Sequence, residues 1–103
     1  MKRLFQLFCP IQWAYKPRGI CPVQAEGYFM GYYFFFRGRW DYLTIDFAKS
    51  HEDWFRDKIV YWKVLKQTNR EYDAGYYPYD KCIDLIVKGC FLFLIYRIFK
   101  IKL

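Results

Sequence analysis

Histidine and serine occur once each in this chain, as the neighbours His51 and Ser50. Adjacent residues on a helix or turn point in different directions, so a serine nucleophile with a histidine base is not assembled there. Glu52 and Asp53 follow at once. The stretch reads as a short helical turn capped by Ser50, with acids placed where the helix dipole favours them and Trp54-Phe55 behind. Glycine patterns that cradle phosphate are also missing, since Gly27, Gly31 and Gly38 fall at strand ends or turns. The four cysteines, Cys9, Cys21, Cys82 and Cys90, form no C-x-x-C pair, which excludes a zinc ribbon or a thioredoxin-like motif. Cys82 and Cys90 on one helix would stand roughly 12 Å apart, beyond disulfide reach, and read as small core residues. Cys9 with Cys21 remains geometrically open, reduced thiols in a cytoplasmic chain being the simpler reading. Nothing local supports either of them as a nucleophile working with His51.

Carboxylates are equally scattered. Asp41, Asp46, Glu52, Asp53, Asp57 and Asp80 show no spacing for a general acid–base pair or a magnesium site. Asp41 and Asp46 differ in parity along one strand and so point to opposite faces. The expectation is a non-enzymatic protein with no catalytic residue, metal or cofactor.

Long hydrophobic runs are absent too. The opening Met1 to Pro10 is basic and then apolar, but Gln6 breaks the apolar stretch and Pro10 stops it, which argues against a secretory signal. Near the other end Cys90 to Tyr96 is wholly apolar, yet Asp84 and Lys88 precede it and Arg97, Lys100 and Lys102 follow. A spanning helix needs about 20 apolar residues, so a membrane is not an expected partner. Phe91, Leu92 and Ile95 nonetheless leave the nominally polar side of that helix without polarity, to be covered by the N-terminal arm or by a partner.

The 103 residues suffice for one core, and 55% hydrophobic with 26% charged residues places the chain far from the disordered class. Aromatics make up 25%, more rings than a core of this size can hide. A net charge of +7 draws anionic partners from a distance, whether nucleic acid, lipid headgroups or an acidic protein face. The lysines and arginines form no uninterrupted tract.

Pattern divides the chain into an N-terminal arm over residues 1–20, a β-meander over 23–66 and a C-terminal helix over 80–97. The arm contains Pro10, Pro17 and Gly19 and reads as extended, anchored by Phe5, Phe8, Trp13 and Tyr15. Alternation then predicts strands over 23–29, 32–37, 40–47 and 59–66. Met30-Gly31 joins the first two, although Met30 resists a positive φ; Gly38-Arg39 suits a type II′ turn joining the next two. That turn pairs Arg37 with Trp40, Phe35 with Tyr42 and Tyr33 with Thr44. Tyr32, Phe34, Phe36, Leu43, Ile45, Phe47, Val23, Ala25 and Phe29 then share the core face. Residues 67–79, with four tyrosines, form a connecting loop. Asp80 caps the helix, whose stripe Ile83, Ile86, Val87, Cys90 and Leu94 covers the sheet, with Lys81, Asp84 and Lys88 opposite. Gly89 weakens this helix and marks close contact with the sheet. The fold class is α+β: a four-stranded antiparallel meander backed by one helix.

On the opposite sheet face the meander collects Tyr33, Phe35, Arg37, Trp40 and Tyr42, with Arg39 beside them, and these six are the candidate partner-binding residues. Exposed Tyr, Trp and Arg are the types that dominate protein interfaces. Single-strand readers use the same chemistry, stacking bases on rings and holding phosphates with arginine. Here the RNA-recognition consensus order is reversed, and Glu26 and Asp46 dilute the field. The rings could instead be covered by the arm, or by a second copy in an edge-paired homodimer.

The stretch from Ala25 to Trp54, with Gly31-Tyr32-Tyr33-Phe34-Phe35-Phe36-Arg37-Gly38-Arg39-Trp40 and then Ile45-Asp46-Phe47-Ala48, resembles small uncharacterised bacterial and phage-borne proteins with a tyrosine- and phenylalanine-rich strand ending Phe-Arg-x-Arg. The resemblance spans about a third of the chain and brings no activity with it. It implies a setting, a phage or mobile element, in which proteins often bind and block a host or defence complex, as an anti-CRISPR-like inhibitor does. The expected function is therefore binding to a partner protein or ribonucleoprotein complex, with single-stranded nucleic acid as the alternative.

Overall fold

The computed structural model describes residues 11–20, 22–68 and 73–100. Strands β1 (Ile11–Arg18), β2 (Val23–Phe29), β3 (Tyr32–Arg39), β4 (Tyr42–Ala48) and β5 (Ile59–Gln67) form one antiparallel sheet in sequence order. A short helix α1 (His51–Phe55) links β4 to β5, and a 3-10 turn (Asp73–Tyr76) precedes the long helix α2 (Tyr79–Phe99). The architecture is α+β with a C-terminal helix, as expected, but the sheet has five strands rather than four.

The added strand is β1, part of the predicted arm. Pro17 argues against a central strand but not against an edge, where a missing N–H costs no ladder bond. Bulges between Trp13 and Tyr15 and between Tyr15 and Arg18 break the alternation that would have announced it. Phe5, Phe8, Cys9 and Cys21 lie outside the described residues.

Every residue expected on the core face is buried there except Tyr32, which is half-buried. The rings interlock: Phe47 stacks on Phe93 of α2 at 4.2 Å and 6°, and Tyr32 meets the same ring edge-on at 5.0 Å. Cross-strand register differs from the prediction. Arg37 pairs with Thr44, Phe35 with Asp46 and Tyr33 with Ala48, so the β3–β4 turn is Trp40-Asp41 and not Gly38-Arg39. The turn has moved by two residues, an even slip, and each side chain therefore keeps its face.

Gly38 is not a turn glycine, because a Cβ there would overlap the Ala74 carbonyl oxygen and press on Leu43 and Val23. It lets the 3-10 turn lie on the strand. That turn and the residue after β5 together fix Trp40-Asp41: the Ala74 N–H donates to the Trp40 carbonyl at 3.1 Å, and the Thr68 N–H to that of Asp41 at 2.7 Å. Trp40 accordingly accepts φ of 59°, and Met30 accepts φ of 50° in the two-residue β2–β3 turn it was expected to resist.

On α2 the N-cap is Pro78, with Asp80 inside the first turn rather than capping. The buried stripe is Cys82, Ile86, Val87, Gly89, Cys90 and Phe93; Ile83 and Leu94 are half-buried flanks. Gly89 makes the expected close contact, since a Cβ would stand 3.0 Å from Ile45 Cγ2. Cys82 and Cys90 are buried thiols outside any disulfide. Burial pushes the Cys82 thiol up to about 12, with the Asp80 charge assisting.

Candidate binding surface

Tyr33, Phe35, Arg37 and Arg39 alternate along β3 onto the sheet face turned away from α2, and Tyr42 joins them through its pairing with Arg39. The six candidate residues do not form one surface. Helix α1 folds back over the upper half of the face, against Tyr33 and Phe35. The rings of Trp54 and Phe35 lie 4.7 Å apart at 34°, and His51 meets Tyr33 edge-on at 5.1 Å. Tyr33 is buried and Phe35 half-buried. Their cover is a segment of this same chain, which corrects the expectation that an arm, a second copy or a partner supplies it.

The lid forms for local reasons. The Asp53 N–H donates to Ser50 Oγ at 3.0 Å, the cap expected from sequence, and Glu52 and Asp53 occupy the first turn. A five-residue helix is not stable alone. Trp54 anchors it by donating Nε1–H to Asp46 Oδ2 at 3.1 Å. Burial holds the Asp46 carboxyl above its ordinary value, although the Trp54 hydrogen bond and the Arg37 charge pull it back down. The Tyr33 phenol is likewise pushed up, by burial first and by the Glu26 carboxylate second. Glu26 also accepts from the Tyr15 hydroxyl at 3.2 Å.

What stays open is the lower half, towards the β3–β4 turn. Arg37, Arg39, Trp40 and Tyr42 are all exposed, and with Thr44 they line a shallow pocket of about 170 Å3. Arg18 extends this patch, because it pairs with Gln24 and Gln24 pairs with Arg37. Its guanidinium stacks 3.8 Å from the Tyr15 ring centroid, while that of Arg39 lies 5.6 Å from the ring of Trp40. Among the described residues Arg56 forms a salt bridge with Glu52, on the lid, and none joins Arg18, Arg37 or Arg39 to a described carboxylate. Sequence reasoning missed Arg18 because it missed β1. The lid carries little sequence signal, because the pattern sets Trp54 only behind a capped turn, although a tryptophan four residues past a cap can reach the preceding strand.

Among the described residues no group of three or more His, Cys, Asp or Glu could hold a metal ion, and no helix is long and apolar enough to cross a membrane. Comparison with known protein families, with characterised proteins and with solved structures found no match.

Proposed function

We propose that this chain is a non-enzymatic binding protein whose open lower sheet face docks on an acidic surface of a partner protein or ribonucleoprotein complex. The carrying observation is the juxtaposition of Arg18, Arg37 and Arg39 with Trp40 and Tyr42 on exposed positions of the sheet and its β3–β4 turn, the arginines forming no salt bridge with a carboxylate among the described residues. Rigid aromatic and arginine anchors of this kind supply most of the energy in protein interfaces. An inhibitor of a nucleic-acid-handling complex, the role implied by the resemblance, is one form of such a binder. Direct reading of single-stranded nucleic acid is the weaker reading, because Tyr33 and Phe35, two of the rings that would stack bases, lie under α1.

The test is capture of partners from host extract by the wild-type chain, by Arg37→Ala/Arg39→Ala and by Trp40→Ala, each with its folding checked by circular dichroism. A partner recovered by wild type and lost with either variant supports the patch. Unchanged recovery with both refutes it. Oligonucleotide binding that falls steeply with salt and is lost in the arginine variant would favour the nucleic-acid reading instead.

A further inference from the structure

All ten acidic residues lie between Glu26 and Asp84. The segments before and after hold none, yet carry Lys2, Arg3, Lys16, Arg18, Lys88, Arg97, Lys100 and Lys102. The fold brings the start of β1 and the end of α2 to one end of the molecule. Ile11, where β1 begins, pairs with Phe29, and Phe29 pairs with Tyr32 across the Met30-Gly31 turn. Arg97, near the end of α2, places its guanidinium 5.1 Å from the Tyr32 ring centroid. The chain thus enters β1 and leaves α2 beside the same hairpin turn.

At this end large apolar side chains reach into solvent. Ile98 is 62% exposed, Phe99 63% and Met30 57%. Met30 is also held at φ of 50°, a conformation glycine or asparagine adopts more readily. Ile98 and Phe99 stand beside the cations Arg97 and Lys100 on a stretch of α2 with no acid after Asp84, while Glu52 and Asp53 of α1 lie across the sheet on its other face. Apolar tips flanked by cations match the chemistry of an anionic bilayer surface, where acyl chains take the former and headgroups the latter. A second copy of the chain fits less well, because it would set Arg97 and Lys100 against their own like charges.

We propose that this end docks peripherally on membranes bearing anionic phospholipid, with Ile98, Phe99 and Met30 entering the interface and Arg97 and Lys100 meeting headgroups. No membrane crossing is involved. The site is independent of the arginine patch, which lies at the opposite end of β3 and would face away from the bilayer.

Flotation of the full chain with vesicles of phosphatidylcholine alone, and of phosphatidylcholine with phosphatidylserine, tests this. Recovery is expected with the anionic vesicles and not with the neutral ones, and is expected to fall as salt rises. Ile98→Ser/Phe99→Ser should weaken it about tenfold or more, given the transfer energies of those side chains. Met30→Asn, a change the turn conformation favours, should weaken it roughly fivefold with the fold intact. No recovery with anionic vesicles overturns the proposal. So does recovery by the Met30→Asn chain equal to wild type, or light scattering that shows a dimer dissolved by Ile98→Ser/Phe99→Ser.

Discussion

Trp54 holds the lid through two separable contacts, and substituting it tests whether α1 is what buries Tyr33 and Phe35. Trp54→Phe keeps a ring over Phe35 but removes the 3.1 Å hydrogen bond to Asp46. A hydrogen bond to a charged group contributes about 1.5–3 kcal/mol, and this site is only part-buried, so a loss of about 1.5 kcal/mol is expected. Trp54→Ala also removes the contacts at 4.7 Å to Phe35 and 5.6 Å to Tyr33. Large aromatic truncations cost about 3–5 kcal/mol in full cores, and half-burial puts this one near the lower bound, at about 3 kcal/mol. The assay is guanidinium unfolding followed by far-ultraviolet circular dichroism, with the m-value checked for constancy. The phenylalanine variant has a further signature in pH. Because Asp46 is raised above its ordinary 3.8 in the fold, the folded state binds more protons than the unfolded chain above that value, and stability falls as pH rises through this window. The Trp54 hydrogen bond opposes the shift, so its removal raises Asp46 further and widens the window. The Trp54→Phe penalty should therefore be larger at pH 7 than at pH 3. Costs below about 0.5 kcal/mol for both variants, with no pH dependence, would refute the assignment of α1 as the cover.

The Tyr33 hydroxyl is buried and makes no hydrogen bond meeting normal geometry with the described residues, so Tyr33→Phe should stabilise the fold by about 1 kcal/mol in the same unfolding assay. Gly38→Ala forces a methyl into the Ala74 carbonyl and should cost at least about 2 kcal/mol; a neutral result would mean the 3-10 turn does not rest on β3. Met30→Asn relieves a left-handed backbone at an exposed turn and should raise stability by about 0.5–1 kcal/mol, read as a higher melting temperature. Asp46→Asn keeps an acceptor for Trp54 while removing the penalty of a buried charge. It should leave stability at pH 7 equal or higher, and flatten its decline with rising pH above the ordinary carboxylate value.

The core was legible because it depends on parity. Tyr32, Phe34 and Phe36 alternate with Tyr33, Phe35 and Arg37, and only one of the two sets meets the face carried by Leu43, Ile45 and Phe47. The β3–β4 turn was not legible, because what selects it is distant in sequence. Gly38 carries a strong local turn signal, but the space above it is needed by Ala74, and hydrogen bonds from Ala74 and Thr68 hold Trp40-Asp41 instead. Tertiary demand therefore placed a tryptophan in a left-handed turn and a glycine inside a strand. The same kind of demand hid β1, whose edge position tolerates Pro17 and whose bulges interrupt the period on which strand recognition depends.

For the candidate surface, the sequence carried the chemistry of each residue but not its company. Tyr33 and Phe35 belong to the same face as Arg37, and nothing in their types separates them. Separation comes from Trp54, which can reach Phe35 because Ser50 starts a helix two residues past the end of β4. Once the lid is counted, the face divides into an aromatic half that stabilises the fold and an arginine half left to solvent. Binding energy available to a partner is then confined to the second half, around Arg37, Arg39, Trp40 and Tyr42, with Arg18 alongside. A partner that needed Tyr33 or Phe35 would first have to displace α1, at a cost on the order of the 3 kcal/mol assigned to Trp54. That cost weakens binding roughly a hundredfold, so the favoured partner is one that reads the arginines and leaves the lid closed.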